Sequence, residues 1–187
     1  TEWLASASTD ELAEIAANCL ARLEPGRQPL PLFKELARLV VLSTVEVVPL
    51  RLTTSGTEVL LGKRSPEDPW WPNQWHLPGS VLLPTDKRAD SHDYTNPVRR
   101  ILGTEFEGTI VHGTVQVFDA QRRGDTRGQE QTVFCGTEAD TAPGLDEPAG
   151  GHFFIITDIP LEAAGELIVG HREIIDRALV HYRNLQS

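Results

Sequence analysis

The residues whose spacing could do chemistry lie between Leu60 and Glu107. Val98, Ile101, Leu102 and Glu105 recur at i, i+3, i+4 and i+7, which places all four on one helical stripe facing inward. A carboxylate on such a stripe must be paired, capped by an amide or bound to a cation. Glu105 is therefore a partner for Arg100 or a backbone N–H, or an oxygen ligand for a divalent ion. Mg²⁺ takes six oxygens and is usually held by one or two carboxylates plus substrate phosphates. Arg64 ends an apolar segment beside a tryptophan-bearing loop; its fork suits a phosphate, and plain surface solvation suits it equally. Trp70, Trp71 and Trp75 could stack on a base. Trp75 reads more simply as loop packing, whereas Trp71 is open. Asp90, Ser91, His92 and Asp93 offer three ligand types in four residues, a grouping that polar loops also show.

Several elements must position these residues. The spacing predicts a helix over 8–23, opened by a Ser8–Glu11 capping box and carried by Leu12, Ile15, Leu20 and Leu23. A short second helix covers Leu32 to Leu39. This front section would pack on the main domain or on a partner chain, so a homodimer is one expectation. Strand patterns follow over Thr44–Leu52, with Pro49 suggesting an edge or a bulge, and over Thr57–Arg64, the two forming a hairpin around Gly56. A short strand is expected at Val81–Leu83. Asn96-Pro97 reads as N-cap and first helical residue of the helix bearing Glu105. Further strands are expected at Ile110–Phe118, Gln131–Gly136 and His152–Ile156, and helix at Leu161–Ala164 and His171–Leu185. Elements of this kind suggest an α/β sandwich.

Leu60-Leu61-Gly62-Lys63-Arg64, the entry Trp75-His76-Leu77-Pro78-Gly79-Ser80 and an Arg-bearing helix together resemble the Nudix family. Its members hydrolyse nucleoside diphosphates linked to another group, using Mg²⁺. The resemblance implies a Nudix-like α/β/α sandwich with a mixed sheet over residues 43–187, preceded by an N-terminal helical extension over residues 1–42. The family's box begins Pro-Gly-Gly and ends Arg-Glu-apolar-x-Glu-Glu-x-Gly. Here Ser80 replaces the second Gly, Asp86 the first Glu, and the spacer grows to thirteen residues, Lys87 to Arg99. Arg100 matches the motif Arg, Ile101 and Thr104 replace two helix acids, Glu105 survives, and the motif Gly falls on Glu107. The resemblance thus implies a weakened site for Mg²⁺ or Mn²⁺ held by Glu105, the Gly79 carbonyl and Asp86. Arg64 and Arg100 would neutralise phosphate or orient the acids. The helix is also similar to that of the GDP-mannose mannosyl hydrolase subgroup, which loses the same two acids. That subgroup's Gln-His pair falls on Pro148 and Ala149, so its extra ligand and base are missing; His152 is a substitute or, more simply, a structural residue. No general base is identified.

Composition narrows the reading further. The chain has 187 residues and a net charge of −10, a size suited to one domain. A strongly acidic surface argues against nucleic-acid polymers as partners, but not against a nucleotide-type small molecule in a local basic pocket. Cys19 and Cys135 show no metal-ligand spacing. With no signal-like segment and no apolar run able to span a bilayer, the expectation is a cytoplasmic protein away from membranes. Two function classes follow. One is a metal-dependent hydrolase of diphosphate-linked nucleotides. The other is a catalytically inactive Nudix-fold module that senses a nucleotide or joins a protein complex.

Overall fold

The structure, a computed structural model, describes residues 7–24, 28–87, 93–125 and 128–186. Its sheet is organised around β1 (Leu42–Thr53), which runs parallel to β6 (Gly128–Thr141) with Val45 opposite Val133 and Val47 opposite Cys135. Along its other side β1 meets two antiparallel partners in succession. These are β4 (Gly79–Val81), along Thr44 to Glu46, and β2 (Gly56–Lys63), along Leu50 to Thr53. β5 (Thr109–Asp125) pairs with β6, while β3 (Trp75–His76) and β7 (Gly151–Ile155) pair with β2, all antiparallel. The result is a mixed sheet in the order β3-β2-β1-β6-β5.

Alternation along β1 feeds two cores. Val45 and Val47 join Leu60, Phe153 and Phe106 under helix α3 (Thr95–Glu105), whose Val98, Ile101 and Leu102 are buried. Val48 and Leu50 join Leu61, Phe134 and Leu77 under helix α4 (His171–Gln186), through Ile174, Ile175, Ala178 and Leu179. A strand apolar on both faces is what a sheet covered on both sides requires. The fold is therefore an α/β/α sandwich with a mixed sheet.

Two helices precede the sheet. α1 (Thr9–Leu20) opens on the expected capping box: Ser8 Oγ accepts the Glu11 N–H, and Glu11 Oε2 accepts the Ser8 N–H at 2.8 Å. None of its residues is buried among the described residues of this chain. α2 (Leu30–Leu39) lies on the α4 face of the sheet, beside the start of β6, and buries Ala37. No helix among the described residues is long and apolar enough to cross a membrane.

Several local expectations are corrected. Pro49 marks neither an edge nor a bulge, because β1 is interior. Val47 N–H donates to Pro78 O, and β2 pairing starts only at Leu50, so the missing N–H of Pro49 falls where the neighbour changes. Asn96 is not the N-cap of α3. That position is Tyr94, and Asp93 Oδ1 accepts the Thr95 N–H at 2.9 Å while Asn96 Nδ2 donates to Lys87 O. Pro97 is tolerated because first-turn N–H groups have no helical acceptor anyway. The strand expected at Val81–Leu83 lies at Gly79–Val81, and the helix expected at Leu161–Ala164 is a single 3₁₀ turn, Glu162–Ala164. β5 and β6 extend well past their expected ends as a polar hairpin beyond the core.

Two glycines test this packing in opposite directions. Gly103 is exposed in α3 with open space around a would-be Cβ, whereas a Cβ at Gly151 would lie 2.8 Å from Leu60 and 2.9 Å from Phe106. Gly103→Ala is expected to stabilise the protein by about 0.5–1 kcal/mol. Gly151→Ala is expected to destabilise it by about 1–3 kcal/mol. Urea denaturation of the two variants checks both signs.

Candidate functional site

A cavity of about 1070 Å³ opens on the α4 face and wraps around β4 to the end of α3. Sheet register explains its polar floor. Thr44 and Glu46 on β1, Glu130 and Thr132 on β6 and Arg123 on β5 continue the face that carries Val48 and Phe134 deeper in the core. Gly79, Thr104 and Glu105 form one wall, and Arg64, Trp70 and Trp71 another.

The floor is tied together through His171, the first residue of α4. His171 is buried, and its Nδ1 accepts the Leu77 N–H at 2.9 Å. A neutral ring must then carry its proton on Nε2, which lies 3.3 Å from Glu46 Oε1. Glu46 Oε2 accepts Arg123 Nη1 at 2.9 Å. Beside this chain, Thr44 Oγ1 is 2.9 Å from Thr132 Oγ1 and 3.4 Å from Glu130 Oε2.

The Leu77 carbonyl is held by a second imidazole. His76 Nδ1 lies 2.7 Å from Leu77 O; a carbonyl only accepts, so Nδ1 carries the proton. Burial pushes the His76 pKa down to about 3, with the Arg64 charge adding to the effect. The ring is thus neutral near pH 7, and its 3.9 Å approach to Glu105 Oε2 is not an ion pair. Glu105 Oε1 accepts the Gly79 N–H at 3.2 Å. Its inward position is as expected, and the amide at the entry turn is one partner.

Asp86 and Arg100, given separate roles in the sequence reading, are joined to each other. Arg100 Nε donates to Asp86 Oδ1 at 2.7 Å and Nη2 to Oδ2 at 2.8 Å, while the Leu83 N–H also reaches Oδ2. Arg100 Nη2 additionally holds Val81 O at 3.0 Å. This bidentate pair fastens α3 to the segment after β4. His152 faces away from Glu105: it pairs with Leu61 on the α4 side, contacts Phe154 edge-on at 4.5 Å and approaches Glu147 Oε1 at 3.2 Å. Asp90, Ser91 and His92 lie outside the described residues.

Arg64 does face the cavity. Its Nη1 is 3.7 Å from Asp68 Oδ2, and its buried Nε has no hydrogen-bond partner. Burial raises the Asp68 pKa, but the Trp71 and Trp70 N–H groups and Arg64 outweigh it, so the group ends below its usual range. Trp71 also lines the cavity, half-buried. Sequence reasoning missed Glu46, Arg123 and His171. A signal was present for Glu46, an acid at the position that period-2 alternation assigns to the face of Val48 and Leu50.

The donor set does not fit a resident divalent cation. Ile101 and Thr104 supply no acid, Asp86 is engaged by Arg100, and Glu46 is neutralised by Arg123. Among the described residues no three His, Cys, Asp or Glu side chains come together to hold a metal.

No protein-family profile matches this chain, and no curated protein sequence does. Solved structures do match. The NUDIX domain of Shewanella oneidensis NrtR, complexed with ADP ribose, is 19% identical over 89% of this chain and 97% of that one, with a TM-score of 0.56. The whole NrtR structure gives 19% identity and 0.55, over 76% of this chain and 64% of that one. The C-terminal domain of mouse MUTYH, in complex with human PCNA, gives 13% and 0.52 over 76% and 89%. This chain has a Nudix fold. At these identities the likeness is one of fold.

Within this Nudix fold the two buried histidine contacts give separate expectations. The folded His76 pKa lies below that of an unfolded histidine, so the unfolded chain binds one more proton as pH falls. Stability is then fully present above about pH 6.5 and declines with acidification toward pH 3. Between pH 6.5 and 5 the loss should be about 1.5 kcal/mol. Urea midpoints should show this slope reduced in His76→Gln relative to the native chain. Glu46→Gln removes the charge and one of the two acceptors shared by Arg123 and His171, and should cost about 2 kcal/mol in the same assay at pH 7.

Proposed function

We propose that the chain is a Nudix-fold recognition module that binds a nucleoside-diphosphate derivative of the ADP-ribose class without a resident divalent cation. The observation that carries this reading is the cavity itself. It is large enough for a nucleotide-sized ligand, carries Arg64, Trp70 and Trp71 on one wall, and is bordered by a helix whose acid positions are Ile101 and Thr104. Arg64 lines the cavity, and its guanidinium fork suits a diphosphate oxygen. Trp71 offers an aromatic face. Binding then rests on charge-assisted hydrogen bonds and stacking. A nearby fold relative, the NUDIX domain of NrtR, was solved with ADP ribose, which makes that compound the natural first probe.

A metal-dependent hydrolase is the second reading, favoured by one observation: the carboxylate of Glu105 lines the cavity beside Gly79. In that case Mg²⁺ or Mn²⁺ would bind only weakly until a diphosphate supplied oxygens.

Calorimetry separates the two. ADP-ribose should bind with similar affinity in EDTA and in excess Mg²⁺, and no product should form. Mg²⁺ alone should show no binding below roughly millimolar concentrations. Arg64→Ala should weaken ADP-ribose by about tenfold, the loss of one charge-assisted contact. Mg²⁺-dependent turnover that disappears in Glu105→Gln would replace this reading with the hydrolase.

A further inference from the structure

We infer that helix α2 is a wall of the ligand pocket and that its Phe33 takes the nucleobase of the bound nucleotide, an inference that rests on the nucleotide-binding reading above. Leu30, Phe33, Leu36 and Ala37 lie at helical spacing on one face of α2. Such a face ordinarily meets a core. Here only Ala37 is buried, and Leu30, Phe33 and Leu36 line the cavity instead. Phe33 is half-buried and belongs to neither core cluster. The aromatic contacts of the described residues run Trp70 to Trp71, Trp75 to His152 and Phe154, His152 to Phe154, Phe118 to Phe134 and His181, and His181 to Tyr182; Phe33 is in none of them. A large apolar ring held at the rim of a nucleotide-sized cavity is the kind of surface on which any base will stack.

Two tertiary contacts anchor the helix. At its middle, Lys34 Nζ lies over the Trp70 ring, 5.4 Å from the centroid, which ties α2 to the loop that presents Trp71 and Arg64. Near its end, Ala37 O approaches Gly128 so closely that a Cβ there would lie 2.3 Å from it, in a backbone conformation with φ of +139°. Leu30, Phe33 and Leu36 of this helix line the same cavity as the polar floor of Glu46, Arg123 and His171. The wall that carries Arg64 is thereby aromatic as well: Trp70 and Trp71 lie on its loop, and α2 adds Phe33 beside them.

The test uses the full chain and two probes, ADP-ribose, which carries a base, and inorganic pyrophosphate, which does not. Phe33→Ala should weaken ADP-ribose by about tenfold or more and leave pyrophosphate unchanged. Phe33→Tyr should keep the native ADP-ribose affinity, which separates stacking from a folding defect. Gly128→Val, at a residue that does not itself line the cavity, should weaken ADP-ribose in the same selective way by displacing α2. Equal ADP-ribose affinity in the native chain and Phe33→Ala would overturn the inference and leave the nucleotide-binding reading standing. Equal losses for both probes would overturn the base assignment by making α2 a purely structural cover. A native chain that binds neither probe would overturn both readings together.

Discussion

The backbone of Leu77 is buried where water cannot reach it, and both of its polar groups are satisfied by imidazoles. His171, 94 residues away, accepts its N–H, and His76 donates to its carbonyl. An unmade hydrogen bond at such a position would cost about 1–3 kcal/mol, so the two rings lock the chain at the entry to Pro78-Gly79. The lock extends outward. His171 starts α4 and contacts Glu46 on β1, and Glu46 holds Arg123 on β5. One hydrogen-bonded line thus fixes the relative positions of the C-terminal helix, the central strand, the hairpin and the turn beneath Glu105.

That same constraint shapes what the pocket does. A cation site needs carboxylate oxygens turned toward a common point, and here they are turned toward protein partners: Glu46 toward His171 and Arg123, Asp86 toward Arg100 and Leu83, Glu105 toward Gly79. Rigid, internally matched polar floors favour recognition, because little must reorganise when a ligand arrives. Arg100 and Arg123 of the same pocket are each engaged by a carboxylate at hydrogen-bond distance, whereas Arg64 stands 3.7 Å from Asp68.

Much of the fold was legible because its signals are local. The Ser8–Glu11 box, the Val98-Ile101-Leu102-Glu105 stripe and the Trp75–Ser80 entry each lie within a few residues of sequence, and each occupies its expected place. The inward position of Glu105 could be read the same way, whereas spacing left Arg64 equally suited to a phosphate and to plain solvation. Other features depend on pairings that spacing does not encode. Asp86 meets Arg100 only because β4 docks on β1 and brings the following segment under α3. Pro49 sits in an interior strand because two short partners follow one another along one side. His152 falls on the wrong face for Glu105 because its register partner is Leu61 rather than Leu60. Phe33 faces a cavity rather than a core because α2 crosses the sheet where the floor is polar.

The central claim is that this pocket holds a nucleoside diphosphate without a resident metal. A crystal structure grown with ADP-ribose and Mn²⁺, with anomalous data collected near the manganese edge, addresses it most directly. The expected result is ligand density running from Arg64 toward α2 and no anomalous peak beside Glu105. A strong peak bridging Glu105, the Gly79 carbonyl and the diphosphate would contradict it.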